Sequence, residues 1–254
     1  MKRDANTEKN TVVAAVPAVA APERRVLSAE EAKKLVSKCT DYNDSRSDNR
    51  NFKCVEFSGI KFKGEDLSGI EAHYSKFTDC EFEECKFDHS EFYFAELHNC
   101  VFRNSTLENC NFSFAAVSGL TFLQCNLKGT DMPFVRGDLS CQTCMWERGT
   151  ANNGQLKLTL AETNAYGFEA NFAKVELDVT GSNLRCSEFN DSTLKGQIVQ
   201  SDLCRSEFNR ADLTDFQVSE CAINGVETDD ASGVDDLFGG VEDFDDLFDD
   251  DEEE

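Results

Sequence analysis

The chain has 254 residues, a formal net charge of −24 and an apolar fraction of 40%, which allows one or two folded domains with a real core. Residues 227–254 carry 15 acidic and no basic side chains, so most of the acidity lies in a C-terminal tail. This charge disfavours direct binding of nucleic acid or of an anionic membrane, and it favours a protein partner with a basic or mixed apolar groove.

Residues 1–27 are expected to form a disordered leader. The Ala/Val stretch from Thr11 to Ala21 is a poor signal peptide, because Pro17 interrupts it and Asp4 and Glu8 lie where only basic residues belong. No apolar run approaches the roughly 18 residues that cross a bilayer. We therefore expect a cytoplasmic protein with reduced thiols.

A short amphipathic helix is predicted over 28–39. Ser28 and Glu31, three positions later, form a capping box, and Leu27 is placed to pack on Ala32. The apolar residues of one helical face are Ala32, Leu35, Val36 and Cys39. We expect this helix to cap the region that follows, and an independent partner-binding helix is the alternative.

From Phe52 onward an apolar residue occupies every fifth position for 17 consecutive steps, ending at Met132. Two positions before each lies a second series of mostly small residues, such as Ser75, Cys80 and Ala95. A period of five fits neither a helix nor a long strand. Short extended segments joined by corners do fit, with the large residue and its small predecessor both facing inward.

The small-polar-Leu/Phe-polar-polar pattern, as in residues 80–84 and 211–215, resembles the pentapeptide-repeat family over about residues 50–226. The resemblance implies an all-β fold, a right-handed four-sided parallel β-helix with about 20 residues per coil. Coils stacked about 4.8 Å apart would bring successive Phe rings into packing contact, and only a small second residue would then fit on each side.

The regular repeat spans residues 50–134, and a second repeat segment spans 169–226. Between them, residues 135–168 lose the frame and are interpreted as an irregular insertion or a degenerate coil that holds Trp146. Such insertions often carry binding in solenoids. We expect the frame to resume with Phe172 facing inward and to slip twice, once between Leu177 and Leu184 and once between Val199 and Leu203.

Residues 227–254 are expected to form a disordered acidic tail that contains two similar segments, 234–238 and 244–248. Duplicated acidic-hydrophobic segments are typical of short motifs that order in a basic, apolar groove. A solvated tail that discourages end-to-end stacking is the alternative. The candidate partner-binding residues of the tail are Asp235, Asp236, Leu237, Phe238, Phe244, Asp245, Asp246, Leu247 and Phe248.

With 20 residues per coil, Tyr74, Phe94, Phe114 and Phe134 occupy equivalent outward positions on four successive coils, and Tyr93 flanks them. We call these five residues the aromatic stripe. Exposed apolar patches on soluble proteins usually mark an interaction site or a covered surface. The stripe is therefore either a partner site or is covered by 135–168 or by the helix 28–39.

No catalytic residue, metal site or cofactor is expected. The repeat places His73, His89 and His98 outward, no Gly-rich phosphate loop follows a strand, and no nucleophile has an evident base. Most cysteines belong to the small inward series and pack as compact apolar residues. Cys141 and Cys144 form a single C-x-x-C, for which a redox or zinc role is the weaker alternative.

These features predict a non-enzymatic protein-binding scaffold, a β-helical rod that presents the aromatic stripe and the acidic Leu-Phe tail. The resemblance supplies an alternative, because some family members mimic duplex DNA and bind a type II topoisomerase such as gyrase through an acidic rod. A further alternative is a secreted bacterial effector. The sequence leaves the oligomeric state open.

Overall fold

The protein is a parallel β-solenoid of about eight turns with one short helix, as seen in a computed structural model that describes residues 23–39, 50–234 and 237. One continuous sheet contains all of the named strands. The elements are β1 (Arg25–Val26), α1 (Ala29–Cys39), β2 (Val55–Ser58), β3 (Lys61–Lys63), β4 (Lys76–Thr78), β5 (Glu81–Glu83), β6 (Glu96–His98), β7 (Val101–Arg103), β8 (Ala116–Leu123), β9 (Arg136–Gln142), β10 (Gln155–Ala161), β11 (Lys174–Thr180), β12 (Thr193–Val199) and β13 (Asp212–Ser219).

The first coils have four sides. Parallel pairs between residues 20 apart occur at Glu71↔Glu91, Lys76↔Glu96, Glu81↔Val101 and Lys86↔Thr106, so each side begins five residues after the last. Phe side chains fill the interior as stacked columns. The ring centroids of Phe57 and Phe77 are 4.9 Å apart, and those of Phe92 and Phe112 are 4.5 Å apart. The five-residue period therefore produces the expected Phe core.

The small inward residues contribute hydrogen bonds as well as space. Buried Ser90 accepts a hydrogen bond from the backbone N–H of Ile70 at 3.2 Å and donates one to the carbonyl of Leu67 at 3.1 Å. Ser187 accepts in the same way from Phe168 at 3.3 Å and donates to Ala165 at 3.2 Å. Buried backbone polar groups need such partners. The preference for Ser, Thr and Cys over Ala has this chemical reason in addition to size.

Residues 135–168 lie in regular successive coils, and no loop leaves the solenoid within this range. Strand β9 pairs with β8 on one side and with β10 on the other. The change is in coil length, because Gln155 pairs with Lys174 and Lys174 pairs with Thr193, each 19 residues later. The interpretation as an irregular insertion is corrected by this pairing, and the shortened coil explains the lost frame.

One corner is missing from each 19-residue coil. The first coils turn between β2 and β3, whereas β9 runs straight through seven residues over the same two sides. The change takes place at a register shift between Val117 and Leu120, where β8 has one more residue than β9. Gly137 is required there, since a Cβ on it would lie 1.7 Å from the carbonyl oxygen of Val117.

The sequence predicts two slips of the five-residue frame in the second segment. The structure instead shortens every coil between β9 and β12 to 19 residues. The shortening ends at a register shift between Thr193 and Lys195, after which residues pair 20 apart again, as in Asp202↔Ala222. The straight strands place Leu156, Leu158 and Leu160 inward by simple alternation.

The N-terminal helix has the predicted capping box. The hydroxyl of Ser28 accepts from the N–H of Glu31 at 3.3 Å, while the Glu31 carboxylate accepts from the N–H of Ser28 at 2.9 Å. These bonds lower the pKa of Glu31 below its ordinary value. Val36, on the same helix, lies with Ile60 and Phe62 along one cleft at the first coil.

The expected disordered leader is wrong for residues 23–27, because β1 pairs in parallel with β2 and covers part of its edge. Buried Leu27 and Ala32 join the core. The rest of the leader, residues 1–22, lies outside the described residues. In the part of the chain that is described, no helix is long and apolar enough to cross a membrane.

Candidate protein-binding surface

The aromatic stripe exists as a column of stacked rings. The ring centroids lie 5.2 Å apart for Tyr74 and Phe94, 5.0 Å for Phe94 and Phe114, and 4.7 Å for Phe114 and Phe134. The interplanar angles are 9°, 22° and 1°, so the rings lie nearly parallel. All of them are half-buried. The one-coil spacing predicted from the sequence thus brings these four residues together.

Tyr93 broadens the stripe. Its ring meets Phe94 at 4.5 Å and Phe114 at 5.4 Å, both nearly edge-on. His73 in turn meets Tyr93 at 6.0 Å. Edge-to-face packing of this kind is favourable and holds the rings in a defined arrangement. The surface is therefore an ordered aromatic patch two rings wide at its centre.

The backbone at this corner adopts a left-handed conformation. The φ angles are 57° at Tyr74, 55° at Phe94, 61° at Phe114 and 60° at Phe134. Bulky residues seldom adopt this conformation, which usually belongs to Gly, Asn or Asp. The N–H of Phe114 donates to the carbonyl of Pro133 at 3.0 Å, which fixes the corner against the next coil.

Later coils make the same corner with polar residues. The side-chain oxygen of Asn152 accepts from the N–H of Asn171 at 2.7 Å, and Asn171 accepts from Asn190 at 2.8 Å. Asn190 and Asn209 continue the ladder at 2.8 Å. The stripe position itself, one residue later, is held in the same left-handed conformation by Asn153, Asp191 and Arg210, so the fold does not require aromatic residues there.

Phe172 belongs to this corner and not to the core. It was predicted to face inward, but its side chain is 58% exposed and its φ is 56°. The shortened coils shift the frame, so Ala170 and Ala173 fill the interior instead. Asn153 occupies the coil between Phe134 and Phe172 and interrupts the aromatic column.

Neither of the two expected covers lies over the stripe. Residues 135–168 are part of the solenoid wall, and α1 shares its cleft with Ile60–Glu65, on a different side of the coil. Arg24 touches one end, where its Nε donates to the carbonyl of Tyr74 at 2.7 Å and its guanidinium pairs with Glu96 at 2.6 Å. Partial burial raises the pKa of Glu96, but Arg24 outweighs this effect and leaves that pKa below its ordinary value.

Carboxylates line the stripe on its other flank. Glu71, Glu91 and Asp131 hold equivalent outward positions on the same side of the coil. Lys53 pairs with Glu71, and this hydrogen bond lowers the pKa of Glu71 below its ordinary value. Asn111 donates to Glu91 at 3.1 Å. The patch therefore combines an aromatic centre with a negatively charged border.

The tail residues are only partly described. Leu237 is 9% exposed and packs with the core at the C-terminal end, so this residue of the first tail segment faces the solenoid and is not presented to a partner. The remaining predicted tail residues, Asp235, Asp236, Phe238 and residues 244–248, lie outside the described part.

Cys141 and Cys144 are buried in the interior. The thiol of Cys144 lies 3.4 Å from the N–H of Cys125 and donates to the carbonyl of Gln142 at 3.3 Å. Burial raises the pKa of Cys141 well above its ordinary value. Within residues 23–39, 50–234 and 237, no group of three potential metal ligands gathers in one place. Both cysteines thus serve as inward repeat residues.

Comparison with known proteins gives a family and several similar structures. The family model described as the pentapeptide repeat region matches residues 75–153. No curated protein matches the chain. HetL, a pentapeptide-repeat protein involved in heterocyst differentiation regulation in the cyanobacterium Nostoc, is 14% identical; the match covers 81% of this chain and 94% of HetL with a TM-score of 0.30.

Two further solved structures are similar to this chain. QnrB1, a plasmid-mediated fluoroquinolone resistance protein, is 17% identical over 68% of this chain and 93% of its own, with a TM-score of 0.35. Rfr23 from the cyanobacterium Cyanothece is 13% identical over 72% and 90%, with a TM-score of 0.17. The family match, the five-residue period and the stacked four-sided coils together identify residues 75–153 as a pentapeptide repeat region.

Proposed function

We propose that this protein is a non-enzymatic scaffold that binds a protein partner through the aromatic stripe. The observation that carries the proposal is the column Tyr74, Phe94, Phe114 and Phe134, which stacks outside the core and is half-buried. Aromatic side chains are the usual energetic centres of protein interfaces. Rings already held in place lose little further freedom on binding.

The cost of this arrangement supports a role outside folding. Four bulky residues hold a left-handed backbone that disfavours them, and their rings remain partly in water. At the same position in later coils, the polar residues Asn153, Asp191 and Arg210 hold the left-handed backbone. Since the fold has a polar solution available, the aromatic residues are best explained by recognition.

The border of the stripe suggests the chemistry of the partner. Glu91 and Asp131 lie beside the rings. The equivalent residues on the neighbouring coils are Glu71 and Asn111, so none of these four positions holds a lysine or an arginine. A segment with apolar side chains and neighbouring Lys or Arg would contact both the rings and the carboxylates. Electrostatic attraction of this kind mainly raises the association rate and the specificity.

The test compares the full-length chain with Phe94→Asn and Phe114→Asn in affinity purification from the source cell, followed by binding measurements on the captured partner. Asn is chosen because Asn153 holds the same corner position in a later coil. Tyr166→Asn, an exposed aromatic on another side, is the matched control. We expect both stripe variants to lose the partner with a nearly unchanged melting temperature, while the control keeps it. Retention of the partner by both would disprove the proposal.

A second candidate is an acidic mimic of duplex DNA that binds a type II topoisomerase such as gyrase. It is favoured by a row of carboxylates on successive coils, in which Glu169 pairs with Glu188, then Glu207, then Glu227. Asn171 donates to Glu188 at 3.0 Å and Asn190 to Glu207 at 2.9 Å, which orients these side chains.

A gyrase supercoiling assay with the purified protein separates the two candidates. Inhibition or protection that disappears in Glu188→Gln/Glu207→Gln, but persists in Phe94→Asn, would support the mimic. No effect at micromolar concentration would remove it and leave the scaffold.

A further inference from the structure

The C-terminal end of the solenoid is an apolar surface that the last coil leaves open. The inward residues of that coil, Val218, Ile223 and Val226, are only half-buried, whereas their equivalents one coil earlier, Ile198, Leu203 and Ser206, are buried. The backbone of Ser232 closes one side by pairing with Asp212. The rest of the end needs cover, because an open solenoid end exposes both core and strand edge.

Leu237 supplies part of this cover. It packs against the core cluster together with half-buried Val234, and its N–H donates to the carbonyl of Val234 at 3.0 Å. Val234 and Leu237, three positions apart in the sequence, therefore both contact the solenoid end.

The same pattern occurs once more in the chain. Residues 234–238 read Val-Asp-Asp-Leu-Phe, and residues 244–248 read Phe-Asp-Asp-Leu-Phe. In the second copy, Phe244 and Leu247 have the spacing of Val234 and Leu237, with a larger apolar residue at the first position. Leu247 follows Leu237 by ten residues. A flexible chain of n residues has an end-to-end distance of roughly 5–6 Å times the square root of n, so this length allows Leu247 to reach the surface that Leu237 contacts.

Val234 and Leu237 contact the solenoid end through apolar side chains and not through charge pairing. From Ala211 to the C-terminus the chain has no Lys or Arg, so both tail segments carry only acidic charge. Glu227, Asp229 and Asp230 are like charges close in sequence. Repulsion between these carboxylates and the acidic tail segments opposes the binding of either segment, and added salt screens this repulsion.

We propose that the C-terminal end of the solenoid is a binding site for Val234 and Leu237 and that residues 244–248 of the same chain occupy it in exchange with residues 234–238. The two copies compete for one apolar surface, so the end stays covered when either one leaves. The site is distinct from the aromatic stripe and does not depend on it.

The test measures hydrogen–deuterium exchange of residues 212–231 in the full-length chain, in Leu237→Ala, in Leu247→Ala and in the double variant. We expect Leu247→Ala alone to change little, Leu237→Ala to accelerate exchange, and the double variant to accelerate it by clearly more than the two single changes combined. We expect 0.5 M NaCl to slow exchange in Leu237→Ala, where the second copy is seated.

Three results would overturn the proposal. If the double variant behaves as Leu237→Ala alone, the second copy does not bind the end. If neither Leu237→Ala nor the double variant accelerates exchange, the end needs no such cover. If protection in Leu237→Ala rises with protein concentration, the occupant is the tail of another molecule. A synthetic peptide of residues 241–251, compared with its Leu247→Ala version, provides a direct check, since only the former should restore protection to the double variant.

Discussion

The indole of Trp146 occupies the space that a side chain at position 149 would need. A Cβ on Gly149 would lie 2.0 Å from the indole Nε1, and that nitrogen donates to the carbonyl of Thr130 at 3.2 Å. Trp146 is fully buried, so the irregular segment expected around it is in fact one of the most tightly packed parts of the core.

Gly149→Ala is therefore expected to lower the free energy of unfolding by about 1–3 kcal/mol, the usual cost of overpacking. Urea unfolding of the variant measures this. The control is a double-mutant cycle with Trp146→Phe, whose smaller ring leaves room for the methyl group. We expect the double variant to be more stable than the sum of the two single losses predicts. Strict additivity would contradict the assigned contact.

Phe112→Ala and Phe114→Asn should differ strongly although the two residues are neighbours. Phe112 is a core ring, and its removal should cost about 3–5 kcal/mol. Phe114 loses ring stacking of about 0.5–1.5 kcal/mol per pair, and Asn recovers part of this because it suits the left-handed backbone. Chemical unfolding should rank the two variants in this order. Equal losses would mean that the stripe is part of the core.

Replacing Asn153 with Phe should join the aromatic stripe to Phe172. The last ring of the stripe, Phe134, and Phe172 lie two coils apart, which is roughly 9.6 Å at the usual strand spacing. Asn153 lies on the coil between them. We expect Asn153→Phe to change the free energy of unfolding by no more than about 0.5 kcal/mol, as is usual at the surface, and to tighten partner binding. Weaker partner binding would show that the interface ends at Phe134 and needs the polar boundary.

Acid should remove one specific contribution to stability. Arg210 donates two hydrogen bonds to Asp191, at 2.8 and 2.6 Å, and these lower the pKa of Asp191 below its ordinary value of 3.8. A carboxyl whose pKa is lower in the folded state stabilises the protein above its unfolded pKa, and the contribution is lost as the pH falls through the folded pKa.

The difference in unfolding free energy between the chain and Asp191→Asn should therefore be constant above about pH 5 and should shrink below about pH 4. Urea unfolding at several pH values measures it. Arg210→Gln provides the matched control, since it should remove the same pH dependence from the partner side. A difference that grows on acidification would contradict the pairing.

Ser28→Ala should weaken the N-terminal cap. The loss of an N-cap side chain typically costs about 1 kcal/mol, and here it also removes the hydroxyl that donates to the Glu31 carboxylate at 2.8 Å. We expect faster hydrogen exchange over Ala32–Val36 with little change beyond the first coil. Ser28→Asp should retain most of the protection, because Asp is also a good N-cap residue.

The fold of the first coils could be predicted because size and period agree there. From Phe52 to Met132 an apolar residue fills every large position, and Ala72 is the only small one among them, so the period is plain in the sequence. The stripe followed directly, since outward equivalents are 20 residues apart. The capping box was equally readable, because its two bonds are local.

The repeat is not visible in the sequence of the later coils, because large residues occupy some positions of the small inward series and small residues occupy some positions of the large one. Leu139, Leu158 and Leu177 take small positions, while Cys141 and Ala165 take large ones. A usable signal was present in the alternation Leu156–Leu158–Leu160, repeated 19 residues later as Val175–Leu177–Val179. The burial of Leu237 could not be predicted, because a short acidic segment gives no indication of the surface against which its Leu packs.

The loss of one corner after Val117 and its return after Thr193 mark two heights along the rod. A uniform helix of identical coils would offer a partner many equivalent heights and would let it slide or bind in several copies. Here the aromatic corner occurs on only a few coils, and the wall beyond them has a different cross-section. A partner that fits these rings can therefore dock at one height and in one direction, with one molecule per rod.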